Sequence, residues 1–288
     1  MKNKKTVLGL TNTVFSNKKE ERFMMKIGFI GVGNMGLALI KGILKSDFID
    51  AKDLILYDPV KEKTAGLEKE FGVIVAKDNI DLTEKSDIII LAVKPNIYDA
   101  VLEEIKVKVT DKKIIITIAP GITISHVKDI LKAGKIVRTI PNTPALIGEG
   151  ITAISYSPEI QQEDKKIVED IFKTCGEIVE VEEKLIDVAM AVSSCSPAFV
   201  YMFIEALADG GVLLGLPRDV AYKLASKAVA GAGNMVLKTG FHPGQLKDMV
   251  TSPGGTTIEG LRILEKNAMR SAVIEAASAA YQKTKGLK

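Results

Sequence analysis

The segment LKDMVTSPGGTTIEG, which ends at Gly260, sets Pro253, Gly254 and Gly255 directly before Thr256, Thr257 and an apolar helical run. A turn of this kind aims backbone N–H groups and hydroxyls at one point. The free amides of a helix N-terminus and the positive end of its dipole favour an anion there, and glycines let a ligand approach the backbone closely. A small carboxylate is the natural occupant. A second turn, Gly31-Val32-Gly33-Asn34-Met35-Gly36, follows KIGFI and precedes LALIKGILK. Its GxGxxG spacing between a strand and a helix supplies a tight turn, close backbone approach to a pyrophosphate and a helix N-terminus to hold it, so it predicts a dinucleotide site. Asp58, closing the next strand, stands where an acid would bond the adenosine ribose hydroxyls of NAD and repel the 2′-phosphate of NADP. Lys61 and Lys63 follow at once and can offset that repulsion, so NADPH and NADH both stay open.

Other strand ends should border the same cofactor, because open parallel sheets bind ligands beyond the carboxyl ends of their strands. Ala92, Val93, Lys94 and Pro95 form one such edge, and Pro120 in Ala119-Pro120-Gly121 forms another that could face the nicotinamide. The stretch Arg138 to Pro144 is read mainly as structural, with Asn142 bonding neighbouring loops. Ser196, before Pro197, is expected to cap a helix, and Cys195 has no adjacent base to make it a nucleophile. No Ser-His-Asp order or metal-ligand cluster is discernible, and His126 and His242 both sit at expected helix starts. Catalysis must then rest on the cofactor and on positioning rather than on a strong side-chain acid.

The elements that would position these groups fall into two regions. Short β-rich runs at Lys26–Ile30, Leu54–Tyr57, Val73–Val75, Ile88–Val93, Ile114–Ile118, Ile136–Ile140, Ile151–Ser155 and Ile178–Val181 alternate with amphipathic stretches. Several are unbroken Ile/Val/Leu runs, as parallel strands buried on both faces require, so the expected first domain is an α/β Rossmann fold with a doubly wound parallel sheet over residues 25–183. Residues 184–288 turn to long Ala/Leu/Met/Gly segments, read as an all-α domain. Pro197, Pro217, Pro243 and Pro253 each stand where a helix could begin. These helices are apolar nearly all round, which calls for a second copy of the chain to cover them.

Composition narrows the partners. The chain has 288 residues, 47% of them apolar, and 39 basic residues scattered among 36 acids for a net charge of +3, so no basic face is set aside for nucleic acid. Two distant cysteines, Cys175 and Cys195, are expected as free thiols in the cytoplasm, without metal. Residues 1–24 read as a disordered extension, and no segment offers the roughly 18 to 20 continuous apolar residues a membrane span needs.

GVGNMG, AVKPN, RTIPNTP, EVEEKLIDVAMAVSSCSPAF, EALADGGVLLGLPR and LKDMVTSPGGTTI together resemble the pyrroline-5-carboxylate reductase family, in its order and spacing from Met25 onward. The resemblance implies a Rossmann domain followed by a helical dimerisation domain, and hydride transfer from NADPH or NADH to the imine of 1-pyrroline-5-carboxylate, giving L-proline. It implies that Gly31, Gly33, Asn34, Met35 and Gly36 hold the pyrophosphate, that Asn79 lies near the adenosine, and that Val93, Lys94 and Pro95 line the cofactor groove. The substrate carboxylate would sit on Ser252, Gly254, Gly255, Thr256 and Thr257, with the Thr257 hydroxyl at the ring nitrogen. It also implies a homodimer through the helical domain, or a larger ring of dimers. Two departures from the family pattern stand out: Ser194, Cys195 and Ser196 where glycines surround a Ser-Gly-Pro turn, and Phe199 where tyrosine is usual. A reductase of another cyclic imino acid and a silent dinucleotide-binding paralogue are the alternative readings. The second predicts damage to one of the two glycine turns, and both are intact.

Overall fold

The computed structural model describes residues 25–46 and 48–286, so the extension expected over residues 1–24 lies outside the described residues. The chain divides between Glu183 and Lys184 into two compact units. The first runs β1 (Ile27–Ile30), α1 (Asn34–Lys45), β2 (Leu54–Tyr57), α2 (Lys61–Phe71), β3 (Ile74–Val75), α3 (Asn79–Lys85), β4 (Ile88–Leu91), α4 (Tyr98–Ile105), β5 (Ile114–Thr117), α5 (Ile124–Leu131), β6 (Lys135–Ile140), β7 (Gly150–Tyr156), α6 (Gln162–Lys173) and β8 (Gly176–Glu180). The strands form one sheet in the order β3-β2-β1-β4-β5-β6-β7-β8.

The unbroken apolar runs are explained by burial on both faces. Ile88 and Ile90 of β4 join Leu39, Ile40 and Ile43 of α1 and Val168, Ile171 and Phe172 of α6 on one side. Ile89 and Leu91 join Leu102 and Ile105 of α4 and Val127 and Leu131 of α5 on the other. Each such side chain contributes about 1.5–3 kcal/mol by leaving water.

All eight expected strands are present, most of them displaced or trimmed by one or two residues. The sheet is not wholly parallel: β6 and β7 pair antiparallel, with Val137 opposite Tyr156 and Ile140 opposite Ala153. The connection between them holds only a short 3-10 turn, Thr143–Ile147, and without a crossover helix the chain must return in the opposite direction. Asn142 serves this turn as expected, accepting from the Ile151 N–H at 2.9 Å.

The second unit is helical: α7 (Ile186–Ser193), α8 (Ser196–Leu213), α9 (Arg218–Thr239), α10 (Pro243–Met249), α11 (Thr256–Lys266) and α12 (Met269–Lys285). Ser196 is not the cap expected of it but the first residue of α8. An N-cap needs an extended backbone, whereas Ser194 and Cys195 stay in the right-handed helical region and carry the chain from α7 straight into α8. Pro253 likewise starts no helix. It opens a turn closed by the Gly255 N–H on the Ser252 carbonyl at 3.1 Å, and α11 begins three residues later. Pro243 opens α10, Pro197 is the second residue of α8 and Pro217 caps α9.

The buried core of this unit includes a cluster of three alanines, Ala208, Ala221 and Ala225, where α8 meets α9. Large side chains point outward instead: Met202 is 70% exposed, Leu213 86% and Leu237 71%. Contrary to expectation, the helical run Glu183–Leu213, 31 residues long, is apolar enough by length and composition to cross a membrane. A turn at Ser194-Cys195 interrupts it.

Candidate active site

The glycine loop lies at the carboxyl edge of the sheet where β1 sits between β2 and β4, so the strand order reverses there and opens a crevice. Gly31 has φ +96°, a conformation that disfavours any side chain, and its N–H donates to the Tyr57 carbonyl at 2.8 Å. A Cβ on Gly31 would lie 2.7 Å from the Ala92 carbonyl oxygen and 3.1 Å from Val93 Cγ1, so the loop is pressed against the end of β4. A Cβ on Gly36 would lie 2.7 Å from the Gly31 oxygen. The structure thereby brings Gly31, Gly36, Ala92 and Val93 together. Gly33 differs: it is the N-cap of α1, no side chain caps that helix, and no atom lies within 4 Å of a Cβ placed on it. This is a cradle with free space over uncapped helix amides, which fits a pyrophosphate. Asn34, Lys94 and Pro95 are exposed at its rim, while Met35 and Pro120 are half-buried.

Asp58 stands at the end of β2 as expected but is differently employed. It is 7% exposed; Oδ2 accepts from the Val32 N–H at 2.8 Å and Oδ1 from the Val60 N–H at 3.0 Å. Lys63 Nζ donates to Oδ1 at 3.2 Å and Oδ2 at 3.1 Å. A carboxylate has about four lone-pair sites, and all are used. Asp58 therefore braces the glycine loop and has none left for a ribose hydroxyl. Burial pushes its carboxyl up, but the Val32 and Val60 amides and the Lys63 ammonium outweigh burial and hold it below the ordinary 3.8.

Because its folded value is depressed, Asp58 contributes stability that is present above 3.8 and lost as pH falls through the folded value. Asp58→Ala is expected to cost about 1–3 kcal/mol, since it leaves the buried Val32 N–H without an acceptor, and to weaken NADH and NADPH alike. Melting temperature against pH and calorimetric titration with both dinucleotides check this. A variant whose preference changes while its stability does not would return Asp58 to the ribose.

Asn79 opens α3 behind its N-cap Asp78, whose side chain accepts from the Asp81 N–H. It is 8% exposed and its Nδ2 donates to Glu104 Oε2 at 2.8 Å. Its Oδ1 is buried with no partner among the described residues, the kind of orphan a ligand donor would satisfy. Glu104 lies on another helix, 25 positions away, and no spacing in the sequence signals the pair. A second unforeseen pair joins His126 Nε2 to Asp99 Oδ1 at 2.7 Å.

In the second unit, Gly254 has φ +67°, which the turn of Ser252 to Gly255 requires, and a Cβ on Gly255 would meet Ser252 Oγ at 2.4 Å. Gly255 is the N-cap of α11 and no side chain caps that helix. Ser252, Gly254, Thr256 and Thr257 are exposed, leaving the first amides of α11 and two threonine hydroxyls open to an anion. His242 caps α10, its Nδ1 accepting from the Gly244 N–H at 3.0 Å. Cys175 is buried and Cys195 half-buried, and neither is in a disulfide. Among the described residues, no three His, Cys, Asp or Glu side chains gather to hold a metal ion.

Residues 183–287 match the family described as pyrroline-5-carboxylate reductase dimerisation, and residues 26–121 match the family described as NADP oxidoreductase, coenzyme F420-dependent. The chain is 44% identical to a pyrroline-5-carboxylate reductase of Escherichia coli, covering 91% of this chain and 98% of the relative. It is 41% identical to one of Methanosarcina acetivorans, covering 91% and 97%. Among solved structures, a Plasmodium falciparum pyrroline carboxylate reductase with NADP bound aligns with a TM-score of 0.84 at 40% identity, covering 91% of this chain and 98% of that one.

Proposed function

The chain belongs to the pyrroline-5-carboxylate reductase family, and from that premise we propose how its residues carry the reaction. It is an NAD(P)H-dependent oxidoreductase that reduces the imine of 1-pyrroline-5-carboxylate to L-proline. When bound, the dinucleotide supplies the hydride. The observation that carries the reading is the presence, in one chain, of two uncapped helix N-termini behind glycine turns: α1, shaped for a pyrophosphate, and α11, shaped for a small carboxylate.

In the first unit, Gly31, Gly33, Asn34, Met35 and Gly36 hold the pyrophosphate. Ala92, Val93, Lys94, Pro95 and Pro120 border the groove at the ends of β4 and β5, and Asn79 takes the adenosine side. In the second unit, Ser252, Gly254, Gly255, Thr256 and Thr257 hold the carboxylate through backbone amides and hydroxyls, and the Thr257 hydroxyl bonds the ring nitrogen. A cyclic imine is already electrophilic, and more so when protonated, so orientation supplies most of the rate and no strong acid is needed. Reduction at the imine carbon would send the C=N π pair to nitrogen, where the Thr257 hydroxyl donates a hydrogen bond, and the amine proton is the one a protonated imine brings with it or water supplies.

The exposed apolar faces of α8, α9 and α12 and the match to a dimerisation family support a homo-oligomer built through the second unit, a dimer or a ring of dimers. They also favour a protein partner over lipid for the Glu183–Leu213 run, which carries Glu205 and Asp209. Two free thiols support a reducing, cytoplasmic setting. In solution the mass is expected to be at least twice the 31.1 kDa of one chain, and light scattering that returns one chain would remove this assembly.

Loss of nicotinamide absorbance with 1-pyrroline-5-carboxylate, together with chromatographic detection of proline, tests the reaction. Dinucleotide binding without turnover would shift the reading to another cyclic imine or to the silent paralogue.

A further inference from the structure

The Asn79 carboxamide is held one way round. Glu104, as a carboxylate, can only accept, so the 2.8 Å bond requires Asn79 Nδ2 to face α4 and turns Oδ1 the other way, buried and without a partner. Leaving such an oxygen unsatisfied is costly, and a ligand donor would recover that cost. The position of Asn79 says which ligand donor. In the sheet order β3-β2-β1, strands β2 and β3 lie on the side of the glycine loop where Asp58 ends β2. The Ala76 N–H extends the ladder beyond β3 by bonding the Leu56 carbonyl at 2.9 Å, and Asn79 follows three residues later. Helix α3 is packed tightly against β1, since a Cβ on Gly28 would lie 2.5 Å from Leu82 Cδ2. Asn79 thus stands at the adenosine end of the crevice. The usual acceptor at that end, the acid closing β2, is used up: all lone pairs of Asp58 are taken by Val32, Val60 and Lys63.

Resting on the dinucleotide reading of the first unit, we propose that Glu104 is a positioning residue that sets cofactor preference. By holding Asn79 Nδ2, it makes Asn79 present an acceptor oxygen to the adenosine ribose. An acceptor bonds a 2′-hydroxyl and repels a 2′-phosphate, which has only acceptor oxygens at its surface. The Glu104–Asn79 pair therefore favours NADH over NADPH. Lys63 is held on both oxygens of Asp58, which offsets the charge it would bring to a 2′-phosphate.

Glu104→Gln tests the proposal with a nearly isosteric change at an exposed position. A glutamine amide can donate to Asn79 Oδ1 as readily as accept from Nδ2, so the asparagine is released to turn over and offer a donor. Calorimetric titration of the full-length protein with NADPH and with NADH, without imine substrate, reads the effect. The ratio of the NADPH to the NADH dissociation constant is expected to fall by about fivefold or more, a size in keeping with exchanging an acceptor for a donor against one ligand group. In turnover the shift should lie in the KM values for the two dinucleotides rather than in kcat. Asn79→Ala, which removes the acceptor altogether, should weaken NADH more than NADPH. A ratio in Glu104→Gln that stays within twofold of the parent, or moves toward NADH, overturns the proposal. Absence of binding of either dinucleotide to the parent protein overturns instead the cofactor reading on which it stands.

Discussion

Gly33→Val is expected to abolish useful dinucleotide binding while leaving the fold of the first unit in place. The backbone at Gly33 is extended, with φ −79° and ψ −176°, a conformation that valine adopts readily. No atom lies within 4 Å of a Cβ added there, so the side chain meets nothing in the free protein. The same open space lies over the uncapped amides of α1, where the pyrophosphate is proposed to sit. Two methyl groups in that space keep the phosphates from the amides, and the dissociation constant should rise by at least about 100-fold, equivalent to about 2.8 kcal/mol. Gly31 and Gly36 cannot serve as this probe. An alanine at either meets backbone at 2.7 Å, and at Gly31 it must also adopt φ +96°, so lost binding there would be inseparable from a damaged loop. The check is titration with NADH and NADPH alongside the melting temperature. Unimpaired affinity would mean that the phosphates do not pass over Gly33, whereas lost affinity with a large fall in melting temperature would make Gly33 a residue of the fold.

How legible such features are in the sequence depends on how local their cause is. The strands of the first unit could be read because Ile88–Leu91 and Ile114–Thr117 are buried on both faces, and two-sided burial writes an unbroken apolar run. The direction of β7 could not, because an apolar run says nothing about which way it is threaded; the short Pro141–Glu149 connection decides that. The glycine cradle was legible because positive φ and close backbone approach demand glycine at fixed offsets. Ser196 misled because a serine before Pro197 looks like a cap, yet capping depends on the backbone angles of the residues upstream, which here remain helical. The two pairings that govern the adenosine end were out of reach for another reason. Asp58 with Val32 and Asn79 with Glu104 are 26 and 25 positions apart and meet only once the sheet is assembled. Polar pairing between elements leaves no periodicity in a single sequence.

For Thr257→Ala, turnover is expected to fall by about tenfold or more, at least about 1.4 kcal/mol of transition-state stabilisation, with the fold retained. Thr257 is the second residue of α11 and is exposed, and no intramolecular bond of its hydroxyl is needed to hold the helix. Alanine is the better helix former, so a loss of rate could not be blamed on an unravelled turn. The hydroxyl is assigned to the ring nitrogen, where the electron pair of the C=N bond collects as hydride arrives. A bond there strengthens as that charge develops, so its loss should appear in kcat more than in KM for the imine, whose carboxylate is still held by the amides of α11. Thr257→Val keeps the shape without the hydroxyl and should behave like alanine. Thr257→Ser restores the hydroxyl and should recover most of the rate. A serine variant as slow as valine would show that the γ-methyl and its packing matter rather than the hydrogen bond. Equal rates in all four proteins would remove Thr257 from the chemistry and leave the turn of Ser252 to Gly255 as a carboxylate site alone.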